Sequence, residues 1–405
     1  MKNDSNSIKW PVITESCIEN VNCVLKSGIL TTKNKRYDLE NSFQEQFTRQ
    51  FCDFLNAPYG KVVPNGTIAL VIALLSLGVK ENDYVLVSEN TWIASISAIT
   101  LINAIPVLVP CKIGNLLIDC ESIIKLQRKY KPKAIIIVHL NGFLQDYSKI
   151  LHDLKVHNVK VIEDCAQAIG SEYKNIKAGT FGDIGAFSFQ ESKVLTCGEG
   201  GFLCTKDIAI YRRICLYQDL TYAQKIPMGN NEMYLFGSNY RVTEQQCALL
   251  YSQFKNVFLA SITEKDIWAK KIINLLNFQK NVRSVDIDRN QTVLSLFKIP
   301  VIFYSINEKE KFLSFLEKNS FSYYNGGKPL YLTNIFSTGR KSLKKMHYKR
   351  QKFNDYNIQI NQVGIFHYYF NQNTYELLKN YFTKNDINNS EDGYENNSYF
   401  IKKQL

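Results

Sequence analysis

The stretch FSFQESKVLTCGEGG (residues 187–201) sets one lysine, Lys193, between an aromatic-rich run that reads as a strand and a turn holding three glycines. An ammonium at a buried strand end is costly to desolvate unless something compensates. One compensation is chemistry: a lysine that attacks a carbonyl has to be partly desolvated, so that a useful fraction is free amine near neutral pH. The other reading is a solvated lysine in a surface loop, the ordinary fate of that residue type. The choice depends on whether the rest of the chain supplies partners for a nucleophilic amine.

Around this stretch, short apolar β-rich runs alternate with helix-length runs. YVLVS (84–88), IPVLV (105–109), AIIIVHL (134–140), VKVIED (159–164), IGAFSFQ (184–190) and GFLCT (201–205) predict strands, and residues 67–79, 91–104 and 146–158 predict helices between them. That order implies α/β architecture built of βαβ units, with a mostly parallel sheet covered on both faces and ligands at the carboxyl ends of its strands. After residue 255 the texture changes to longer polar helical runs such as EKEKFLSFLEKNS (308–320), mixed with strands such as FKIPVIFYS (297–305). The expected division is an N-terminal arm (1–20), a large domain (21–255) and a smaller α+β C-terminal domain (256–405). The polar, Asn-rich tail from residue 385 is expected to be loosely ordered.

Composition narrows the class. With 45% hydrophobic and 21% charged residues, the 405-residue chain has ordinary globular content and enough length for a large core. The start MKNDSNSIKW has no apolar h-region, and no run of about 18 apolar residues occurs, so a cytoplasmic protein without membrane insertion is expected. Ten cysteines without a CxxC pair suit buried free thiols, and five histidines without HxxxH or HExxH spacing give no support for a metal. The net charge of +12 raises the alternative of a non-catalytic nucleic-acid-binding regulator, but the densest basic cluster, RKSLKKMHYKR (340–350), is short and carries no recognisable binding motif. No nucleic-acid partner is expected.

Three further segments bear on Lys193. VKVIED ends in Glu163 and Asp164, and an acid at the end of a buried strand calls for a cationic partner, so Asp164 either faces a ligand cation or caps the following turn. PNGTIAL (64–70) sets Gly66 and Thr67 at the start of an apolar helix, which forms a phosphate cradle or simple N-capping. Trp92 in SENTWIAS opens the next helix, where it stacks on a flat ring or joins the core. Together they supply a lysine nucleophile, a carboxylate for a pyridinium nitrogen, a phosphate cradle and an aromatic plate. Those are the parts of a pyridoxal 5'-phosphate site.

In order and spacing, NGTIAL, TWIAS, VHLNG, IEDCAQAIGSEYKNIKAGTFGDIGAFSFQESKVLTCGEGG and GSNYRVTEQQCALL resemble the DegT/DnrJ/EryC1/StrS family of sugar aminotransferases. The resemblance covers residues 20–255. It implies PLP-dependent transferase fold type I, with Lys193 as the Schiff-base lysine, Asp164 on the pyridine nitrogen and Gln167 near the ring hydroxyl. It gives Gly66, Thr67 and Ser188 to the phosphate and stacks Trp92 on the ring. It also implies a homodimer with a shared active site, in which Asn239 reaches the neighbouring subunit's phosphate. The lysine separates the chain from the family's dehydratases, which carry histidine there.

The implied reaction moves an amino group from glutamine or glutamate to a keto-cyclitol or keto-sugar. FQESKVLTCGEGG is most similar to the branch acting on scyllo-inosose-like ketones, and the alternative is a nucleotide-linked ketosugar, whose diphosphate Arg241, Lys225 and the 340–350 cluster would meet. Gln190 belongs to the cyclitol reading by likeness. The chain departs from the family at VLVPCKI, where Pro110 and Cys111 alter a strand edge. Its C-terminal part is similar only around IFHYYF (365–370), where His367 falls on a histidine common in related members.

Overall fold

The computed structural model describes residues 10–32, 41–112, 116–220, 237–326, 362–367 and 370–388. The chain opens with α1 (Glu15–Ser27) and α2 (Phe43–Leu55), followed by β1 (Tyr59–Val63) and the apolar α3 (Gly66–Ser76). Then come β2 (Tyr84–Ser88), α4 (Ile93–Leu101), β3 (Ile105–Val109), α5 (Cys120–Tyr130), β4 (Ala134–Val138), α6 (Ser148–Val156) and β5 (Lys160–Asp164). A two-strand excursion, β6 (Glu172–Tyr173) and β7 (Ile176–Lys177), precedes β8 (Ile184–Ser188), β9 (Gly201–Thr205) and α7 (Ile208–Gln218).

These strands form one seven-stranded sheet in the order β1-β9-β8-β5-β4-β2-β3. From β8 to β3 every pairing is parallel, and β9 runs against both of its neighbours. The mostly parallel α/β sheet is thus as the periodicity predicts. Strands β3, β4, β8 and β9 are buried at every position, which is why they read as unbroken apolar runs instead of alternating ones. α3 is buried on nearly all sides because it lies within the main core with Ile136, Ile162 and Leu203.

One consequence of the topology organises everything functional. The ends of β1, β5 and β8 and the beginning of β9 lie at the same edge of the sheet, so Asn65, Asp164, Ser188 and Gly201 meet there although up to 136 positions separate them. Two strands stop earlier than their apolar runs. β4 ends at Val138 because His139 leaves the ladder into a turn with Asn141 at φ 58°, and β8 ends at Ser188 where the lysine loop departs.

Past α8 (Glu244–Gln253), a π turn at Phe254–Phe258 leads without a break into α9 (Leu259–Asn277). The rest comprises β10 (Val282–Arg283), β11 (Gln291–Val293), β12 (Lys298–Phe303), α10 (Ile306–Lys318), β13 (Tyr323–Asn325), β14 (Gln362–Phe366) and α11 (Gln372–Asn388). Strands β10-β12-β14-β13 make an antiparallel sheet, while β11 leaves it to pair with β6. This second sheet has its own core, including Ile273, Val301, Phe312, Leu316 and Ile365, to which Leu116, Leu117 and Phe143 of the first region also contribute.

The limits drawn at residues 20 and 255 both fall inside helices. α1 is held as a unit against α8, where Asn20 Nδ2 donates to Ser252 Oγ at 2.8 Å. α11 carries helix through Asn388, into the first residues of the tail, and residues 389–405 lie outside the described residues. The 340–350 cluster and Lys225 lie outside the described residues. Among the described residues, no helix is long and apolar enough to cross a membrane.

Candidate active site

The lysine loop is closed at its neck by the sheet. Phe189 N donates to Gly200 O at 2.8 Å, and Thr196 Oγ1 and Cys197 N both return to Phe189 O. Inside the loop Gln190 Oε1 accepts from Ser192 N and Ser192 Oγ, while Lys193 N donates to Gln190 O at 2.8 Å. Lys193 is therefore carried by a tight turn just beyond β8, not by the strand end itself. Its ammonium lies 4.4 Å from the centre of the Phe297 ring, and it forms no ion pair among the described residues. Desolvation pushes its pKa down to about 8 against the opposing pull of the Asp164 charge. The amine is thus a usable nucleophile and base within one unit of neutral pH.

Adjacent acids at the end of β5 point to opposite faces of the sheet, as strand alternation requires. Asp164 is buried, with Ser95 Oγ donating to Oδ2 at 2.7 Å and Ala166 N to Oδ1 at 3.1 Å. Thr91 Oγ1 lies 2.8 Å from Ser95 Oγ and continues the chain of hydroxyls. Two donors leave the Asp164 carboxylate with acceptor capacity for a ligand N–H.

Glu163 is spent on architecture. His139 Nε2 donates to it at 2.7 Å, and Gly179 N, Phe181 N and Gly182 N donate at 2.7–2.8 Å. The partners of Glu163 are thus one imidazole and three backbone amides, and no lysine or arginine pairs with it among the described residues. His139, Glu163 and Cys165 come close enough to hold a metal ion, but this carboxylate's acceptor sites are already taken.

At the start of α3, Asn65 Oδ1 caps Ile68 N at 2.9 Å, which leaves the Gly66 and Thr67 amides facing the sheet edge. Glycine is required here for space. A Cβ on Gly66 would meet Ser188 Cβ at 2.7 Å, and one on Gly201 would lie 2.6 Å from the Asn65 backbone. Helix start, Ser188 and the first residue of β9 thus lie in close contact, and together they offer amide and hydroxyl donors suited to a phosphate.

Gln167 Oε1 accepts from Asn141 N at 2.9 Å, so its amide NH₂ is the end left for a ligand oxygen. Trp92 stands at the N-cap of α4 with 66% of its surface exposed, available as a plate and not part of the core. Asn239 is exposed on an edge where it bridges to Asp219, which also holds Arg241 in an ion pair. Cys111 N donates to Glu89 Oε1 at 2.9 Å, so the departure at VLVPCKI rebuilds the β3 exit around a buried glutamate.

His367 is fully buried behind the lysine loop. Its Nε2 lies 3.2 Å from Ser192 O, which only accepts, so Nε2 carries the proton; Nδ1 then faces Lys265 Nζ at 3.5 Å. Burial and the Lys265 charge hold its pKa well below the ordinary range, keeping the ring neutral. Trp10 packs edge-on against His367 at 4.5 Å and donates its indole N–H to Glu191 O. Ser95, Phe297 and Trp10 went unnoticed in the sequence. Only the hydroxyl spacing of Thr91, just before the α4 N-cap, and Ser95, on its opening turn, offered a local signal.

A model of the DegT/DnrJ/EryC1/StrS aminotransferase family matches residues 11–349. The chain belongs to that family. Among relatives, it is 34% identical over 258 residues to an L-glutamine:2-deoxy-scyllo-inosose aminotransferase of Streptomyces kanamyceticus, covering 60% of this chain and 58% of that enzyme. It is also 34% identical over 284 residues to a GDP-perosamine synthase of Escherichia coli O157:H7, covering 68% and 73%. The match thus spans less than two thirds of the cyclitol enzyme's length. An aminotransferase from Psychrobacter cryohalolentis superposes with a TM-score of 0.80 at 25% identity, over 95% of this chain and 100% of that one. A 3-amino-5-hydroxybenzoic acid synthase superposes with a TM-score of 0.79 at 19% identity, over 93% and 98%. This member of the family has PLP-dependent transferase fold type I, as its motifs imply.

Proposed function

We propose that the protein is a pyridoxal-phosphate-dependent aminotransferase that moves an amino group from glutamine or glutamate to a keto-cyclitol or keto-sugar, in aminocyclitol or amino-sugar biosynthesis. The observation that carries this reading is the meeting of three features at one sheet edge: the desolvated Lys193 amine, the Asp164 carboxylate with spare acceptor capacity, and the Gly66–Ser188 cradle that a single Cβ would fill. These residues fit the cofactor. Gly66, Thr67 and Ser188 would hold its phosphate, Asp164 its ring nitrogen, Gln167 its ring hydroxyl and Trp92 its face. When bound, the cofactor supplies an electron sink for the bonding pair released at the donor's Cα.

Lys193 does the proton work. Its free amine takes the proton from the donor's Cα and returns one to the acceptor carbon, a role worth roughly 10²–10⁴-fold in rate. Asp164 keeps the ring nitrogen protonated, and Ser95 holds the carboxylate in line. Asn239 is exposed, which supports its serving the phosphate of a second copy in a homodimer. A cytoplasmic setting suits ten free cysteines, seven of them buried.

The acceptor reading favours a neutral cyclitol ketone, supported by the glutamine:scyllo-inosose relatives. The GDP-perosamine synthase, equally identical over more of its length, supports a nucleotide-linked ketosugar instead. A half-reaction screen decides: enzyme carrying the aminated cofactor is offered scyllo-inosose, 2-deoxy-scyllo-inosose, and UDP- and GDP-linked ketosugars, with visible absorbance followed. Recovery with an inosose is expected, and recovery with nucleotide ketosugars alone overturns the cyclitol assignment. Mixing Lys193→Ala and Asn239→Ala chains should restore activity in hybrid dimers, since one composite site then keeps both residues. Verified hybrids without activity would sink the shared site.

A further inference from the structure

Two lysine ammonium groups stand on one aromatic ring. Lys193 Nζ lies 4.4 Å and Lys298 Nζ 5.3 Å from the centre of Phe297. Lys298, the first residue of β12, also lies 3.8 Å from the Tyr324 ring centre. Its stem crosses β14 at Gly364, where a Cβ would come within 3.0 Å of Lys298 Cδ. Phe297 is fixed between the two sheets, donating its N–H to Asn141 O and accepting from His367 N.

Among the described residues Lys298 has no ion-pair partner. Burial and the Lys193 charge push its pKa down to about 8. Aromatic faces offset only part of the cost of holding an ammonium away from water. A partly desolvated cation with rings around it and no carboxylate paired with it among the described residues is a prepared seat for an anion, which on arrival favours the charged amine.

We propose that Lys298 receives the α-carboxylate of the amino donor. The proposal rests on the aminotransferase reading above. The reacting chemistry selects this anion: in an α-amino acid the carboxylate is bonded to the very carbon whose proton Lys193 removes, so its seat must lie beside Lys193. The diphosphate of a nucleotide-linked sugar hangs from the anomeric carbon, across the sugar ring from a keto carbon at the opposite position. The ring that already carries Lys193 meets the first demand and not the second.

The test uses protein loaded with pyridoxal phosphate and an unreactive donor analogue, glutaramate, which is glutamine without its amino group. By titration calorimetry, Lys298→Met should weaken glutaramate binding about 10–100-fold, the range expected for a lost charged hydrogen bond. Lys298→Arg should stay within a few-fold of the wild type, and UDP and GDP should bind all three alike. If Lys298→Met fails to fold by circular dichroism, Lys298→Gln takes its place. Equal glutaramate affinity in wild type and variant, no measurable glutaramate binding to the loaded wild type, or a loss confined to the nucleotides overturns the assignment. A wild type that gains no visible absorbance with pyridoxal phosphate brings down the aminotransferase reading as well, so the two failures are told apart.

Discussion

Glu163 and Asp164 are chemically alike, adjacent and both buried, yet the two faces of the sheet put them to different uses. Glu163 meets a histidine and three backbone amides, so its acceptor capacity is consumed in fixing the loop that carries Gly179, Phe181 and Gly182. Asp164 meets one hydroxyl and one amide, on the face that also holds Lys193. A saturated buried carboxylate stabilises a fold, whereas an undersaturated one is available to a ligand. The difference lies in the donor count around each acid.

The sharpest way to break this comparison is to neutralise each acid in turn. Asp164→Asn should cost about 10²–10³-fold in turnover, the scale of a lost preorganised electrostatic contact, with a nearly unchanged thermal midpoint. Glu163→Gln should do the reverse, lowering stability by about 3 kcal/mol through unsatisfied amides while the folded fraction keeps most of its turnover. Melting curves and single-turnover rates on both variants check it, and a matching loss of turnover in both would erase the distinction.

A smaller effect separates the lysine loop from its support. His367 is held neutral with its pKa well below the usual value, so the unfolded chain takes up a proton that the folded chain refuses. Stability from this source is complete above the unfolded-state value of about 6.5 and declines as pH falls below it. His367→Gln should therefore flatten the acid limb of a pH–melting profile, and an unchanged limb would exclude His367 as its cause. Smaller still, Ser95→Ala removes one donor to Asp164 and should lower turnover several-fold without moving the melting midpoint.

How far the sequence could be read follows from contact range. The Asn-Gly-Thr start of α3, the end of β5 and the turn after β8 each carry a local signature, and parallel topology then brings them to one edge. Phe297 and Lys298 carry none. They reach the site only because β12 of the second sheet is laid against Asn141 and His367, a pairing that no local pattern announces. The role of Glu163 is hidden for a related reason: its amide donors come from residues 179–182, after an excursion whose path short-range periodicity does not encode.

The clasp between Phe189 and Gly200 has an entropic consequence. A lysine on an open loop would have to be immobilised each time a cofactor arrived, and that ordering cost would be deducted from the affinity. Here the loop's two ends are already neighbours in the sheet, with Thr196 and Gln190 fastening its interior, so the ordering is settled when the chain folds. Affinity for the cofactor and the conformational stability of β8 and β9 are therefore linked quantities. Loosening the clasp should appear first as faster cofactor loss, before any change in the chemistry at Lys193.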